Sequence, residues 1–98
     1  MIIKNSVNIT LQTLQTKDQQ KFNTFISRIN SFSNFQDLFS DKNIKKLDIP
    51  NVNFYIYRLT QQLRILIKIE GNEIIIQDIF NHDRFSKIYK KHLEGVRK

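Results

Sequence analysis

Residues 54–80 read FYIYRLTQQLRILIKIEGNEIIIQDIF, and this stretch decides the fold. Three runs in it, Phe54–Leu59, Leu63–Ile69 and Ile74–Phe80, are rich in Ile, Tyr and Phe. Branched and aromatic side chains suit a pleated, half-buried surface, so each run reads as a strand. Gly71-Asn72 between two such runs is a hairpin signal, because a tight two-residue turn needs positive φ and glycine enters it without a Cβ clash. A second turn is placed at Thr60–Gln61 or a neighbour, which makes a three-stranded antiparallel meander. With Gly71 and Asn72 as the loop, Glu70 pairs with Glu73, Lys68 with Ile75, Leu66 with Gln77 and Arg64 with Ile79. On the opposite face Ile69 pairs with Ile74, Ile67 with Ile76 and Leu63 with Phe80. The second face is apolar and must pack on helices. A two-residue loop at Thr60–Gln61 adds Phe54 and Ile56 to that core face and turns Tyr55 and Tyr57 the other way. The open face is thus predicted to carry Tyr55, Tyr57, Arg64, Lys68 and Gln77, with Glu70 and Glu73 at its far end. Arg58 falls near the turn on the core side, where a long stem can snorkel.

Upstream of Pro50 the pattern is helical. Ser6 is placed to cap a first helix carrying Val7, Leu11 and Leu14 at spacings of four and three. Thr16 opens a second, with Gln19 completing a capping box. Phe22, Phe25, Ile26, Ile29 and Phe32 then form one apolar stripe, a core pattern, and Lys17, Lys21 and Arg28 fall off it. Met1–Lys4 fits an edge strand. Residues 33–53 read as a loop-rich connection, in which Phe35, Leu38 and Phe39 either extend a helix or form a separate turn. The predicted class is α+β: two N-terminal helices packed on a small antiparallel sheet, within a single domain over residues 1–98.

Composition agrees. A chain of 98 residues is one domain in length, and 40% hydrophobic with 26% charged residues argues against intrinsic disorder. No apolar run approaches the ~20 residues of a membrane span. The first ten residues lack the apolar stretch of a signal peptide, so a cytoplasmic location is expected. The absence of Cys removes disulfides, thiolate nucleophiles and thiolate metal sites. A net charge of +7 favours polyanionic partners: nucleic acid, an acidic protein or a membrane surface. The chain has no Ala and is heavy in Ile, Asn and Lys. This reads as A+T-rich coding, which by itself supplies some of the lysines.

After the last strand comes a basic, aromatic segment, Asn81-His82-Asp83-Arg84-Phe85-Ser86-Lys87-Ile88-Tyr89-Lys90-Lys91-His92. The two glycines, Gly71 and Gly95, rule out a Gly-rich phosphate loop, and no Ser sits in a nucleophile elbow. His82 with Asp78 and Asp83 reads as a strand end and a cap, so no metal and no cofactor is expected. What remains is a set of Arg, Lys, Tyr and His beside a sheet. Arginine presents a fixed fork to phosphate oxygens, tyrosine can stack a base or give a proton, and histidine titrates near neutrality. RNA brings its own nucleophile, the 2′-hydroxyl. A ribonuclease then needs alignment, a proton acceptor and donor, and positive charge at the pentavalent phosphate. Taken singly, Arg64 and Lys68 are most simply a solvated sheet surface, and Lys87, Lys90 and Lys91 a solvated helix face. Their convergence with two tyrosines on one face is what points to function.

The run Tyr57-Arg58-Leu59, a short turn, Leu63-Arg64-Ile65-Leu66-Ile67, then Ile69-Glu70-Gly71-Asn72-Glu73-Ile74-Ile75-Ile76 resembles the meander of the RelE/ParE superfamily of bacterial toxins. The closing segment from His82 to Tyr89 is similar to that family's His/Arg turn followed by a tyrosine. The resemblance spans residues ~50–91, and the helical half agrees in order and length. It implies a toxin partnered by a cognate acidic antitoxin, and in the RelE branch an endoribonuclease that cuts mRNA on the ribosome without metal. Carried over by position, Arg64 is the arginine that stabilises the scissile phosphate, Arg84 the arginine after the last strand, Tyr89 the tyrosine that orients the 2′-hydroxyl, and His82 an acid or base. Tyr55, Tyr57, Lys68, Lys87, Lys90 and Lys91 are the expected RNA-binding residues. RNA-cleaving members often carry lysines where this chain has Tyr55 and Tyr57, and their closing turn often has a Gly. Their arginine also lies nearer the tyrosine than Arg84 lies to Tyr89. Two other readings stay open: a ParE-like gyrase inhibitor, and a catalytically degenerate RNA-binding member that uses the tyrosine face for stacking.

Overall fold

A computed structural model of the chain describes residues 1–32 and 34–82. The element order is β1 (Ile2–Ile3), α1 (Asn5–Leu11), α2 (Thr16–Asn30), α3 (Phe35–Phe39), β2 (Ile44–Lys46), β3 (Phe54–Arg58), β4 (Leu63–Glu70) and β5 (Glu73–Asn81). The fold is α+β, with helices followed by a five-stranded mixed sheet in the order β1-β5-β4-β3-β2. Among the described residues no helix is long and apolar enough to cross a membrane.

The stripe on α2 buries Phe22, Phe25 and Ile29, while Lys17, Lys21 and Arg28 are exposed. The capping differs from expectation. Ser6 lies inside α1, whose N-cap is Lys4, and Thr16 is the first helical residue after the cap Gln15. Gln19 does not close a capping box, because its Nε2 donates instead to the carbonyls of Leu11 (2.8 Å) and Leu14 (3.0 Å). Those carbonyls lie at the end of α1 and just beyond it, so Gln19 ties the two helices together. The stretch read as loop-rich holds two elements. One is α3, where the Asn34 side chain accepts from the Gln36 N–H. The other is β2, which pairs antiparallel with β3.

The meander is present, but its register departs from expectation in two places. Near Gly71-Asn72 the pairing is as read: Glu70 faces Glu73, Lys68 faces Ile75, and Ile67 faces Ile76. Gly71 has a φ of 60°, as the turn requires. Beyond Ile76 a bulge intervenes, and Leu66 pairs with Asp78, Ile65 with Ile79, Arg64 with Phe80 and Leu63 with Asn81. Gln77 is the extra residue. Ile79 therefore points to the helices and Phe80 away from them, the reverse of the expected arrangement.

The second departure is at the β3–β4 turn. Residues 59–62 all lie in the connection, so Tyr55 pairs with Ile67, Ile56 with Leu66, Tyr57 with Ile65 and Arg58 with Arg64. The Thr60 hydroxyl accepts from the N–H groups of Gln62 and Leu63, and Leu59 and Thr60 both donate to the Leu63 carbonyl. That hydroxyl-anchored turn is wider than the two-residue loop expected there. A slip of one residue sends every side chain of a strand to the other face. Tyr55 and Tyr57 thus face the helices, while Phe54, Ile56 and Arg58 face away.

The sheet consequently has a core on each side. On the helix side Val7, Phe22, Phe25, Ile29, Leu38, Tyr57, Ile65, Ile67, Ile76 and Ile79 pack together. On the other side Leu47, Ile56, Leu66 and Phe80 form a smaller cluster flanked by Ile49 and Phe54. The segment after β2 folds over that face, with Leu47 donating to the Phe54 carbonyl (2.9 Å) and Asn51 making the bend at φ 65°. Leu47 is only 1% exposed. Leu47→Ala should therefore cost roughly 2–3 kcal/mol in urea unfolding, as for other large-to-small core changes. A cost within ~0.5 kcal/mol, normal for a surface loop, would show that this second core contributes nothing.

Candidate functional site

Two arginines of the helix-free face lie at the β3–β4 turn. Arg58 and Arg64 are direct cross-strand partners there. Arg64 is half-buried, and its Nη1 donates to the carbonyls of Thr60 (2.8 Å), Leu63 (3.1 Å) and Gln61 (3.2 Å). The turn thereby fixes one edge of the guanidinium. Burial, and then the neighbouring Arg58, lower the pKa of Arg64 from its ordinary value. A guanidinium stays charged regardless. Like charges directly opposite on a sheet repel, and an anion between them relieves that. His82 is brought to the same end, because its backbone N–H donates to the Gln62 carbonyl at 2.7 Å. Its side chain is exposed.

Lys68 lies further along β4 on the same face and is already engaged. Its Nζ is 2.9 Å from Glu70 and sits 6.0 Å from the centre of the Phe54 ring. The hydrogen bond from Lys68 holds the Glu70 carboxyl below its usual pKa.

The tyrosines are not part of this face. Tyr57 is 6% exposed and packs on Phe25, with ring centroids 4.2 Å apart. Tyr55 is half-buried and stacks on Phe39 at 5.0 Å. Neither can share a surface with Arg64, which corrects the expected stacking platform. Tyr57 instead supports a polar contact on the helix side: Arg28 Nη2 bonds its hydroxyl at 2.7 Å and also pairs with Asp41. Tyr57→Phe removes the hydroxyl and keeps the ring. It should cost about 1 kcal/mol, read as a small fall in thermal melting temperature. No change at all would mean that Arg28 and Asp41 need no help from the hydroxyl.

Arg84, Tyr89, Lys87, Lys90 and Lys91 lie outside the described residues. Of the expected site, then, Arg64 and His82 come together at one end of the sheet, Lys68 stands apart, and Tyr55 and Tyr57 face the other way. Arg58 is the residue that sequence reasoning missed. Its signal was Thr60: a hydroxyl able to widen the turn pairs Arg58 with Arg64, where a tight loop does not. Among the described residues no three His, Cys, Asp or Glu side chains cluster as metal ligands would. No protein-family model, curated protein or solved structure matches the chain.

Proposed function

We propose that the chain is a RelE-like toxin of a type II toxin–antitoxin system: a cytoplasmic, metal-independent endoribonuclease that cuts mRNA on the ribosome and is held in check by an acidic antitoxin. The observation that carries this reading is the Arg58–Arg64 pair on the helix-free face, with His82 anchored at the same turn. An exposed guanidinium on Arg58 beside the half-buried one of Arg64 suits a phosphodiester, whose oxygens accept a forked donor. In the reaction the ribose 2′-oxygen attacks phosphorus and the 5′-oxygen leaves, so a 2′,3′-cyclic phosphate and a 5′-hydroxyl result. Arg64 stabilises the charge that grows on the phosphoryl oxygens, and His82 takes or returns a proton. By the family resemblance, Arg84 and Tyr89 join them. The +7 charge supports affinity for a site lined by RNA.

One observation favours the ParE-like alternative, a gyrase inhibitor. The strand positions where RNA-cleaving members often carry lysines are Tyr55 and Tyr57, and both face the helices, away from Arg64. Stacking of bases on those two rings has no support from their position. Induced expression without an antitoxin separates the readings. The nuclease reading expects growth arrest, halted translation and cut mRNA, with DNA supercoiling unchanged. Double-strand breaks at gyrase sites with intact mRNA would replace it by the alternative.

A further inference from the structure

β2 flanks β3 at the edge of the sheet, and its two lysines go to opposite faces. Lys45 pairs with Ile56 and Lys46 with Tyr55. Ile56 belongs to the cluster on the helix-free side, and Tyr55 packs against the helix-side core. The flanking residues agree, since Ile44 packs on the helix-side core and Leu47 lies in the helix-free cluster. Lys45 therefore stands on the face of Arg58 and Arg64, and Lys46 does not. Arg58, two residues beyond Ile56 on β3, is the diagonal neighbour of Lys45, at the ~7–8 Å that separates such positions. Both residues are exposed, and neither has an ion-pair partner among the described residues. Lys68, on the same face, is held by Glu70. Arg64 on β4, Arg58 on β3 and Lys45 on β2 make one row of positive charge across three adjacent strands, with the backbone of His82 anchored at its inner end.

We propose that the single strand cut at Arg64 runs across the sheet toward β2, and that Lys45 binds the phosphate of a neighbouring nucleotide.

The inference rests on the nuclease reading and adds to it a residue and a path. A row that crosses strands fits a polymer whose charges recur along its backbone, because each strand supplies one cation per step. The surface beneath the row favours a backbone contact. Leu47, Ile56, Leu66 and Phe80 are all buried, so the floor is filled. It offers no pocket to an apolar side chain of a protein and no exposed ring for a base to stack on. What stays exposed is charge, and charge alone holds phosphates without regard to sequence. The ammonium of Lys45 suits that duty as a point charge on a long stem, whereas the fork of Arg64 is fixed by the turn. Lysines on an edge strand also discourage pairing with another sheet, but Lys46 serves that end as well as Lys45. Phosphate binding is what separates the two.

The test is a charge-matched pair of variants of the full chain, Lys45→Gln and Lys46→Gln. Each removes one positive charge from an exposed position, so both should melt close to wild type. Binding of a fluorescent 2′-O-methyl oligouridylate, which cannot be cut, is followed by anisotropy over a range of KCl. Lys45→Gln should weaken it roughly threefold and reduce the slope of log affinity against log salt by ~0.7, the share of one phosphate on a single strand. An oligoadenylate should show the same loss. Lys46→Gln should match wild type on both. On ribosome-bound mRNA, Lys45→Gln should raise KM and leave kcat alone. Equal losses in the two variants, no loss in either, a loss confined to one base sequence, or no binding by wild type even at low salt would each overturn the proposal. Cut mRNA with the two lysines equivalent removes the phosphate contact and leaves the nuclease reading standing. A loss of binding specific to Lys45→Gln, in a chain that does not cut, removes the nuclease reading and keeps the contact.

Discussion

Arg64→Ala is expected to slow cleavage of ribosome-bound mRNA by ~10²–10³ and to remove toxicity, the usual effect of losing one preorganised donor to a developing oxyanion. The same side chain also clamps the β3–β4 turn through three carbonyls. Its loss should therefore cost about 1 kcal/mol of stability, or ~4–8 °C in melting temperature for a domain of this size. That is a small part of the ~5–15 kcal/mol that holds a typical domain together, so the variant stays folded. Arg64→Lys keeps the charge and loses the fork, so it should recover folding more than rate. Cleavage assays and melting curves on the same preparations give both numbers. Cleavage by Arg64→Ala at the wild-type rate would end the nuclease reading, and collapse of its fold would show that the clamp is the main role.

The opposite behaviour is expected of Ile67→Ala. Ile67 is fully buried on the central strand, between Tyr55 on β3 and Ile76 on β5, against the helices. Truncation removes apolar burial and leaves a cavity that neighbours on both flanks prevent from closing, typically at ~2–5 kcal/mol. Against the ~5–15 kcal/mol of a typical domain that is a large part of the total. Urea titration should show the midpoint falling with little change in slope. Activity per folded molecule should hold, because Ile67 and the arginine pair lie on opposite faces. A loss under ~1 kcal/mol would mean that the helix-side core is not packed as described.

These two residues also show what was legible in the sequence. Both sit on β4, whose facing follows from the Gly71-Asn72 turn alone, and glycine at positive φ is among the firmest local signals a chain carries. Tyr55 and Tyr57 sit on β3, whose facing hangs on the length of the next turn. That length was set by one hydroxyl, on Thr60, against a plausible tighter loop. The face of Ile79 and Phe80 was likewise hidden, because a bulge at Gln77 breaks the alternation without any glycine to mark it. The second core had a readable sign that went unused. β4 is apolar at Leu66 as well as at Ile65 and Ile67, and a near-continuous apolar run belongs to a strand covered on both sides. Arg58 was misplaced by the same slip as the tyrosines, so a single wrong turn length accounts for most of the error at the candidate site.

The pairing of β1 with β5 sets an order of events in folding. The two are parallel, with Ile2 beside Ile75 and Ile3 beside Ile76, so the first strand joins the sheet through a partner near the far end of the described chain. The β4–β5 hairpin closes over a two-residue turn and forms on local contacts, as do the helical turns of α2. Closure of the longest loop has the largest entropic cost and no local contact to offset it. During synthesis α1 and α2 emerge before any strand that can cover their apolar stripe, and they wait until β3, β4 and β5 have left the ribosome. The Lys4 amide, which ends on the Ile76 carbonyl, is thus shielded from solvent last.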